Sequence, residues 1–281
     1  MAGITLSAPI RSNLLTLQNT SDLIGRTENR LSTGLKVASA IDDAVAYFQA
    51  KSLSDRGSDF TEKKDGIDQG ISTLKTAMTA IDSVEAVVKQ MKGLLLSAKS
   101  ATGEERKDLE AQFNTLAANV NSLSNDASYQ GLNLVAGTAA KLTVEFSSAS
   151  SAKLDVDGVN LQASALLGGV ASTLGATLVG GAWSAAAVSS FDDAIKSVDS
   201  SLNSLRGAAK SLGSNVALLQ TRLDFTKTYV NTLDEGSGKL TLADLNEEGA
   251  NLVALQTRQS LGIQALQFSG QSEQAVLQLL R

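Results

Sequence analysis

Residues 191–233 carry the clearest structural signal in the chain and read FDDAIKSVDSSLNSLRGAAKSLGSNVALLQTRLDFTKTYVNTL. Apolar or small residues recur there in steps that alternate between four and three without a slip. These positions are Phe191, Ile195, Val198, Leu202, Leu205, Ala209, Leu212, Val216, Leu219, Leu223, Thr226, Val230 and Leu233. Because this spacing lines one face of an α-helix, and a helix rises about 1.5 Å per residue, the stretch predicts a helix about 65 Å long. We therefore expect a long helical bundle rather than a small round core.

Other parts of the chain have the same helical period. One stripe runs from Ile10 to Leu35, a second from Ile67 to Leu95 and a third from Leu109 to Ala127. A last helix from about Thr241 has these apolar or small residues on one face: Ala254, Leu261, Ala265, Phe268, Ala275 and Leu279. Between the third and the long helix, residues 142–146 and 154–157 alternate like short strands. The sequence thus predicts a mainly α fold with a small β element in its central segment.

Short motifs mark the expected ends of these elements. Ser39-Ala40-Ile41-Asp42 has the Ser-x-x-Asp pattern of a helix start, and Asp43 adds a second carboxylate there. Glu104 and Glu105 open the third helix, and Asp157-Gly158 is a turn signal. Gly236-Ser237-Gly238 predicts a hinge between the long helix and the last one.

Composition excludes several kinds of chemistry. The 281 residues include no Cys and no His, so Ser-His-Asp triads, CxxC redox sites and conventional zinc sites are excluded, whereas carboxylate or lysine chemistry stays open. Asp192-Asp193 and Glu247-Glu248 are interpreted as charges at helix N-termini, since adjacent helical positions point about 100° apart. We predict no catalytic residue, no metal and no cofactor. The formal net charge of −5, with no basic stripe, predicts no nucleic-acid partner.

The segment from Leu161 to Val188 has no charged residue and raises the question of a membrane span. About 20 apolar residues suffice to cross a bilayer, but Gly, Ser and Thr interrupt this stretch throughout, and Trp183 is its sole aromatic residue. We therefore predict no membrane insertion and a compact surface segment instead. Residues 1–10 also lack the basic and apolar regions of a cleavable leader, so any export is expected to use another route.

Both ends of the chain are amphipathic but poor in charge. Residues 1–25 carry only Arg11 and Asp22, and residues 249–280 only Arg258 and Glu273. Solvated helix faces normally carry charge, so these helices are expected to need a partner surface to become ordered. The candidate self-assembly residues are Leu14, Leu17, Ile24, Leu31, Leu261, Phe268, Val276 and Leu279. For each of them, an ordinary core position within one chain is the alternative.

Two motifs resemble the signatures of bacterial flagellins, in particular the short flagellins of alphaproteobacteria. Residues 28–44 read ENRLSTGLKVASAIDDA, which is similar to the N-terminal signature. Residues 243–248 (ADLNEE), 255–266 (LQTRQSLGIQAL) and 277–281 (LQLLR) resemble the C-terminal one. The resemblance covers about residues 1–137 and 189–281. Two stretches depart from the family: Val45-Ala46-Tyr47-Phe48 replaces a small run that often contains Gly, and residues 271–274 lack the common Pro-Gln, which predicts an unbroken last helix.

The resemblance implies a domain order, with paired terminal helices as an inner coiled coil, called D0, beside a rod-like bundle, called D1. It assigns 1–40 to the N-terminal D0 helix, 41–137 to N-terminal D1 helices, 138–188 to an outward-facing central segment with short strands, 189–235 to the C-terminal D1 helix and 236–281 to the C-terminal D0 helix. It further implies a structural subunit that self-assembles into a helical flagellar filament for swimming motility. The alternatives are a hook-filament junction (hook-associated) protein, a helical secreted effector that does not assemble, and an enzyme with its site in the central segment.

By the same resemblance, the expected partners are other copies of the chain, the flagellar export apparatus, an export chaperone, the filament cap and hook-associated proteins. The expected location is extracellular, in the flagellar filament, after export of an unfolded chain by a type III route. An innate-immune receptor of animals typically reads Gln-Arg-x-Arg-Glu-Leu in this family, and residues 89–94 read KQMKGL here. Because both arginines and the glutamate are replaced, we predict weak or no recognition.

Overall fold

The structure is a computed structural model that describes residues 8–147, 151–174 and 183–279. Within these residues it contains seven α-helices and two strands. The helices are α1 (Ala8–Thr33), α2 (Ala44–Ser100), α3 (Gly103–Asp126), α4 (Ala163–Leu166), α5 (Gly168–Leu174), α6 (Val188–Thr241) and α7 (Leu245–Leu279). The strands are β1 (Lys141–Glu145) and β2 (Lys153–Asp157). The mainly α fold with a small central sheet is confirmed, and α7 is unbroken, as predicted.

The chain divides into two compact units. The terminal unit comprises the residues up to Arg56 together with those from Asn231, and it holds α1, α7, the first turns of α2 and the last turns of α6. The central unit comprises Gly57–Val230 and holds the rest of α2 and α6 with α3, the sheet, α4 and α5.

The core of the central unit is built from the stripes that the helical period predicts. Phe113, Ala117 and Val120 on α3 join the large buried apolar residues of the two long helices. On α2 these are Ile67, Ile71, Leu74, Ile81, Val84, Val88, Met91 and Leu95. On α6 they are Phe191, Val198, Leu202, Leu205, Leu212, Val216, Leu219 and Leu223. Burial of these aliphatic stripes holds the three helices together, because each large side chain contributes about 1.5–3 kcal/mol when it leaves water.

The two strands form an antiparallel hairpin in which Lys141 is paired with Asp157 and Glu145 with Lys153. Val144 and Val156 are buried in the core, whereas their neighbours along each strand are exposed or partly exposed. The turn signal Asp157-Gly158 lies after β2 rather than between the strands. There the Gly158 N–H donates to the Ala140 carbonyl at 2.7 Å, which fastens the base of the hairpin.

Gly158 sits where no side chain fits, so Gly158→Ala is expected to destabilise the central unit. A Cβ there would lie 2.5 Å from the Gly137 carbonyl oxygen and 2.9 Å from that of Ala140. Backbone atoms cannot yield as a flexible side chain can, so we expect a loss of about 1–3 kcal/mol in urea unfolding followed by circular dichroism. Gly66→Ala is the control, since its Cβ meets nothing within 4 Å on an exposed part of α2 and is expected to stabilise the helix. Equal midpoints for Gly158→Ala and the parent chain would contradict this account.

Two predicted helix ends are wrong in detail. The helix start at Ser39-Ala40-Ile41-Asp42 is a turn, in which the Asp42 carboxylate accepts the backbone N–H groups of Ala38 and Ser39 at 3.1 and 2.9 Å. The helix begins at Ala44 instead, and Asp43 caps it by accepting the Ala46 N–H at 3.0 Å.

The predicted hinge at Gly236-Ser237-Gly238 is also wrong, because α6 continues through it to Thr241. These small residues allow α2 to approach closely: Ser237 donates its hydroxyl to the Ala50 carbonyl at 3.2 Å, and a Cβ on Gly236 would lie 3.4 Å from Leu53 Cδ1. The chain breaks three residues later, where the Asp244 carboxylate accepts the N–H of Asn246 at 2.9 Å and starts α7. Packing against α2 therefore outweighs the weak helix propensity of two glycines.

The central segment contains β1, β2, α4, α5 and a single turn of 3₁₀-helix at Trp183–Ala185. Part of its uncharged stretch, residues 175–182, lies outside the described residues. Among the helices that the structure describes, none is long and apolar enough to cross a membrane.

Candidate self-assembly surface

In the terminal unit, α1 and α7 pack along each other in antiparallel directions. Arg30 near the end of α1 pairs with Glu248 in the first turn of α7. Thirteen residues earlier on α1, Leu17 lies against Gly262, which is fourteen residues further along α7; a Cβ on that glycine would be 3.0 Å from Leu17 Cδ1. The two contacts are consistent with a single antiparallel register of the helices. The missing side chain at Gly262 leaves the space that Leu17 fills.

The ion pair joins the two helices at one end. Arg30 Nη1 donates to Glu248 Oε1 at 2.9 Å, and the glutamate side chain is only 11% exposed against 43% for the arginine. Glu247 and Glu248 both lie in the first turn of α7, where the helix dipole favours negative charge, as the sequence predicts. The partner of Arg30 lies 218 residues away in the sequence, so local sequence alone could not predict this pair.

The segment after α1 and the segment before α7 cross next to this pair. Gly34 has a φ of 71°, which ends α1, and its carbonyl accepts the Ala243 N–H at 2.9 Å. The Lys36 N–H donates to the Thr241 carbonyl at 2.8 Å. Hydrogen bonds from the Ser39 backbone, the Ser39 hydroxyl and the Ala38 backbone lower the pKa of Asp42. The carboxylate therefore stays ionised, and the turn closed, as the pH falls through the ordinary titration range of an Asp.

A cleft of about 510 Å³ lies at this crossing. Its charged lining is Arg30, Lys36, Lys239, Asp42, Asp43, Asp244, Glu247 and Glu248. Several of these carboxylates are already engaged: Asp42 closes its turn, Asp43 and Asp244 cap helices, and Glu248 pairs with Arg30. Throughout the described residues, no three or more Asp or Glu side chains are grouped so as to hold a metal ion. The residues that line the cleft therefore have a structural role: their hydrogen bonds and ion pair hold the two connecting segments together.

The predicted self-assembly residues fall into three groups. Leu14, Leu261 and Phe268 are exposed, and Phe268 shows 73% of its surface to solvent. Leu17, Ile24 and Leu31 are partly buried, and Leu17 contacts α7 within the chain. Val276 and Leu279 belong to α7, but their side chains lie outside the described part of the chain. Part of the predicted stripe is thus partly buried within the chain, and another part is exposed to solvent.

Further exposed apolar residues lie on the same two helices and were missed by the sequence analysis. They are Leu15 and Leu23 on α1 and Val253 and Ile263 on α7. A signal for them exists, because Leu15, Leu23 and Val253 directly adjoin positions of the three-and-four stripe, and Ile263 lies between two of them. Such surplus positions indicate a second apolar face beyond the one that a single partner helix covers.

Removing the arginine of the ion pair is expected to weaken the helix pair. Arg30→Gln leaves the nearly buried Glu248 carboxylate without its cationic partner, which should cost about 1–2 kcal/mol in the free energy of unfolding. Arg26→Gln, at an exposed position on the same helix, is the matched control and should change little. A double-mutant cycle with Glu248→Gln, measured by urea unfolding, should show a coupling energy; complete additivity would argue against the pair.

A helical protein whose two ends pair and whose apolar faces stay open belongs to the class of self-assembling structural subunits. The model of the bacterial flagellin N-terminal helical region matches residues 6–140. The flagellin of Brucella melitensis is 31% identical over the whole of both chains. Flagellin FljO of Caulobacter vibrioides is 33% identical, with 95% of this chain and 96% of the relative covered. The chain belongs to the flagellin family.

A solved structure gives an independent likeness in fold. A protein described as flagellar hook-associated, from Vibrio parahaemolyticus, is 19% identical with a TM-score of 0.59, covering 72% of this chain and all of that one. At this identity the likeness concerns the fold alone. The relatives that match over nearly full length are flagellins, so of the two predicted flagellar functions the filament subunit is the supported one.

Proposed function

We propose that this flagellin polymerises through the exposed apolar residues of α1 and α7, which are covered by other copies of the chain. The observation that carries the proposal is the exposure of Leu14, Leu261 and Phe268 within the charge-poor stretches 1–25 and 249–280. Each large apolar side chain that leaves water contributes about 1.5–3 kcal/mol, so several of them offset the entropy lost on ordering the ends. Leu17, Ile24, Leu31, Val276 and Leu279 complete the proposed surface.

The proposed contact is heterologous, with the apolar face of one copy against a different patch of the next. Such a contact does not close on itself, so it produces a growing helical polymer rather than a dimer. In this arrangement the D0 helices, 1–40 and 236–281, line the inner tube, while the bundle segments 41–137 and 189–235 surround them. The central segment, 138–188, projects outwards.

The surrounding biology follows from this role and is part of the proposal. The chain is exported through the flagellar export apparatus with the help of a chaperone, and it is added beneath the filament cap beyond the hook-associated proteins. Its place is the extracellular filament, and its function is structural rather than enzymatic. The absence of cysteine suits passage of an extended chain, because no disulfide can form before export.

Electron microscopy of the purified protein tests the proposed function. Monomer concentrated with short filament seeds is expected to yield long helical filaments. A hook-filament junction protein would give only short rings or caps, and an effector would give no polymer. Either of those results would contradict the proposal.

We propose that residues 89–94 bind the animal innate-immune receptor weakly or not at all. The ion pairs of Lys89 and Lys92 support this proposal, because they engage both side chains within the chain. Lys89 pairs with Glu85 at 2.9 Å and Lys92 with Asp199 at 2.5 Å, while Met91 is buried. We expect at least tenfold weaker binding than for a flagellin with the usual motif in a receptor titration. A triple variant, Gln90→Arg, Lys92→Arg and Gly93→Glu, should recover binding, since a Cβ at Gly93 meets nothing within 4 Å. Equal affinity of the parent chain would refute the prediction.

A further inference from the structure

Three ion pairs between α2 and α6 form a regular series in the central unit. We call them the heptad ion pairs; they are Glu85 with Arg206, Lys92 with Asp199, and Lys99 with Asp192. The paired nitrogen and oxygen atoms are 3.1, 2.5 and 2.6 Å apart. Along α2 each pair lies seven residues after the previous one, and along α6 it lies seven residues before it. Because seven residues make two turns of a helix, the pairs follow one edge of the contact between two antiparallel helices.

The same alignment of the two helices continues beyond the charged pairs. Met78 lies seven residues before Glu85, and Gly213 lies seven residues after Arg206. A Cβ on Gly213 would lie 3.8 Å from Met78 Cε, so these two residues also face each other. Four successive steps of seven residues therefore share a single register.

The apolar contact between the helices discriminates poorly between this register and one shifted by seven residues. On α2 buried residues recur every seven positions as Ile67, Leu74, Ile81, Val88 and Leu95. On α6 the buried series with the same spacing is Phe191, Val198, Leu205, Leu212 and Leu219. A shift of seven residues would move α6 by about 10 Å along α2, but it would mostly put one aliphatic side chain in the place of another. Cores tolerate such exchanges when total volume and pattern are kept.

The charges discriminate between these registers, because the pair of Glu85 with Arg206 has the opposite polarity to the other two. Its carboxylate is on α2, whereas Lys92 and Lys99 place cations on that helix. A shift by seven residues in one direction would put Glu85 opposite Asp199. A shift in the other direction would put Lys92 opposite Arg206. Each shifted register thus has one like-charge pair and a single ion pair in place of three, and charges along such an edge set the alignment of paired helices.

The heptad ion pairs are better suited to this discrimination than to stabilisation. The side chains of Lys92 and Asp199 are 32% and 45% exposed, and ion pairs that are open to solvent contribute little to the free energy of unfolding. The difference between registers is larger than the contribution of any one pair, because a shift removes attraction and adds repulsion at the same time.

We infer that the heptad ion pairs select the register of α2 against α6, and that the reversed pair of Glu85 with Arg206 excludes registers shifted by seven residues. This inference concerns the fold of a single chain and is independent of the proposed function. For a polymer it has one consequence: identical contacts between copies require that every copy has the same register.

Exchange of the charges within one pair tests the inference. Glu85→Arg with Arg206→Glu keeps three ion pairs in the observed register but puts every cation of the series on α2, so each shifted register gains two ion pairs and no like-charge pair. Lys92→Asp with Asp199→Lys is the matched control, since it also keeps three ion pairs but leaves one like-charge pair in each shifted register. Lys89→Gln is present in all chains, because Lys89 also pairs with Glu85 at 2.9 Å.

The register can be measured with two spin labels, because the chain contains no cysteine. Gln69→Cys on α2 and Asn203→Cys on α6 place the labels at exposed positions. In the observed register Asn203 lies opposite Val88, so the labels are about 28 Å apart along the helix axes, and a shift by seven residues changes this separation by about 10 Å. Double electron–electron resonance after refolding from urea provides the measurement.

We expect one distance for the parent chain and for the control exchange. The exchange of Glu85 and Arg206 should show a second distance in roughly 10% or more of the molecules, since the shifted registers are no longer excluded. A single distance in this variant, or the second distance in the control as well, would overturn the inference.

A single substitution, Glu85→Arg, provides a second test if the exchanged chain does not fold. It puts two cations opposite each other at Arg206 in the observed register, and it forms an ion pair with Asp199 in a shifted one. The second distance should then be present in a larger fraction of molecules than for the exchange, with the helical circular dichroism retained. A folded Glu85→Arg chain that shows only the distance of the parent would contradict the inference, whatever the outcome of the polymerisation experiments.

Discussion

Deletion of residues 262–281 is expected to abolish polymerisation while most of the helical circular dichroism is retained. The deletion removes Phe268, Val276 and Leu279 from the proposed surface, together with the contact between Gly262 and Leu17. The core of the central unit does not depend on this segment, and the pair of Arg30 with Glu248 remains. Sedimentation and electron microscopy at a concentration where the full chain polymerises provide the measurement. Growth of the truncated chain at the parent rate would contradict the proposed assembly surface.

A single substitution tests the proposed surface without removing the end of α7. Phe268→Ser removes a ring that is 73% exposed and so should leave the unfolding of the monomer nearly unchanged. If that ring is covered by another copy, the critical concentration for seeded growth should rise at least tenfold. Gln267→Ser, at the exposed neighbouring position, should match the parent chain. A Phe268→Ser chain that assembles normally would show that this face stays in solvent.

Replacement of Trp183 by Ala is expected to have the largest effect on stability. Trp183 is 1% exposed, and its ring lies 5.2 Å from that of Phe113 on α3 and 5.5 Å from that of Phe191 on α6, between centroids. Its backbone N–H donates to the buried Glu110 carboxylate at 3.3 Å. Truncation of a large buried aromatic side chain leaves a cavity and costs about 3–5 kcal/mol. Urea unfolding followed by circular dichroism should show a loss of this size.

The control for this prediction is Leu96→Ala, which also shortens a large apolar side chain but at a position that is about half exposed. Its effect should stay within about 0.5 kcal/mol, the usual range for surface substitutions. If the two variants unfolded at the same urea concentration, Trp183 would not anchor the central segment to the core of its unit.

Much of the architecture could be predicted because helical periodicity is a local property. The steps of three and four that lead from Phe191 to Leu233 require no knowledge of a partner, and the structure buries most of that stripe. The same holds for α2 between Ile67 and Leu95 and for the alternation in β1 and β2. The signature motifs near both ends also predicted the family, which is confirmed by the match to the flagellin N-terminal region and by the identity with known flagellins.

Helix boundaries were less predictable, since they depend on small differences in free energy. Two glycines within three residues indicate a break, but each disfavours a helix by only about 1 kcal/mol. Contacts of Gly236 and Ser237 with α2 reverse that balance. At the start of α2, both Ser39 and Asp43 are suitable caps, and the turn that Asp42 closes decides in favour of Asp43.

By itself, then, the sequence determined the helical class, the core stripes, the charge-poor ends and the family. Only the tertiary structure decided which apolar residues are covered: Leu17 is paired with Gly262, Phe268 is left open, and Trp183 is buried in a segment without any period. It alone also brought Arg30 to Glu248. The reason is physical, because periodicity is fixed by neighbouring residues, whereas burial depends on which distant part of the chain arrives to cover a face.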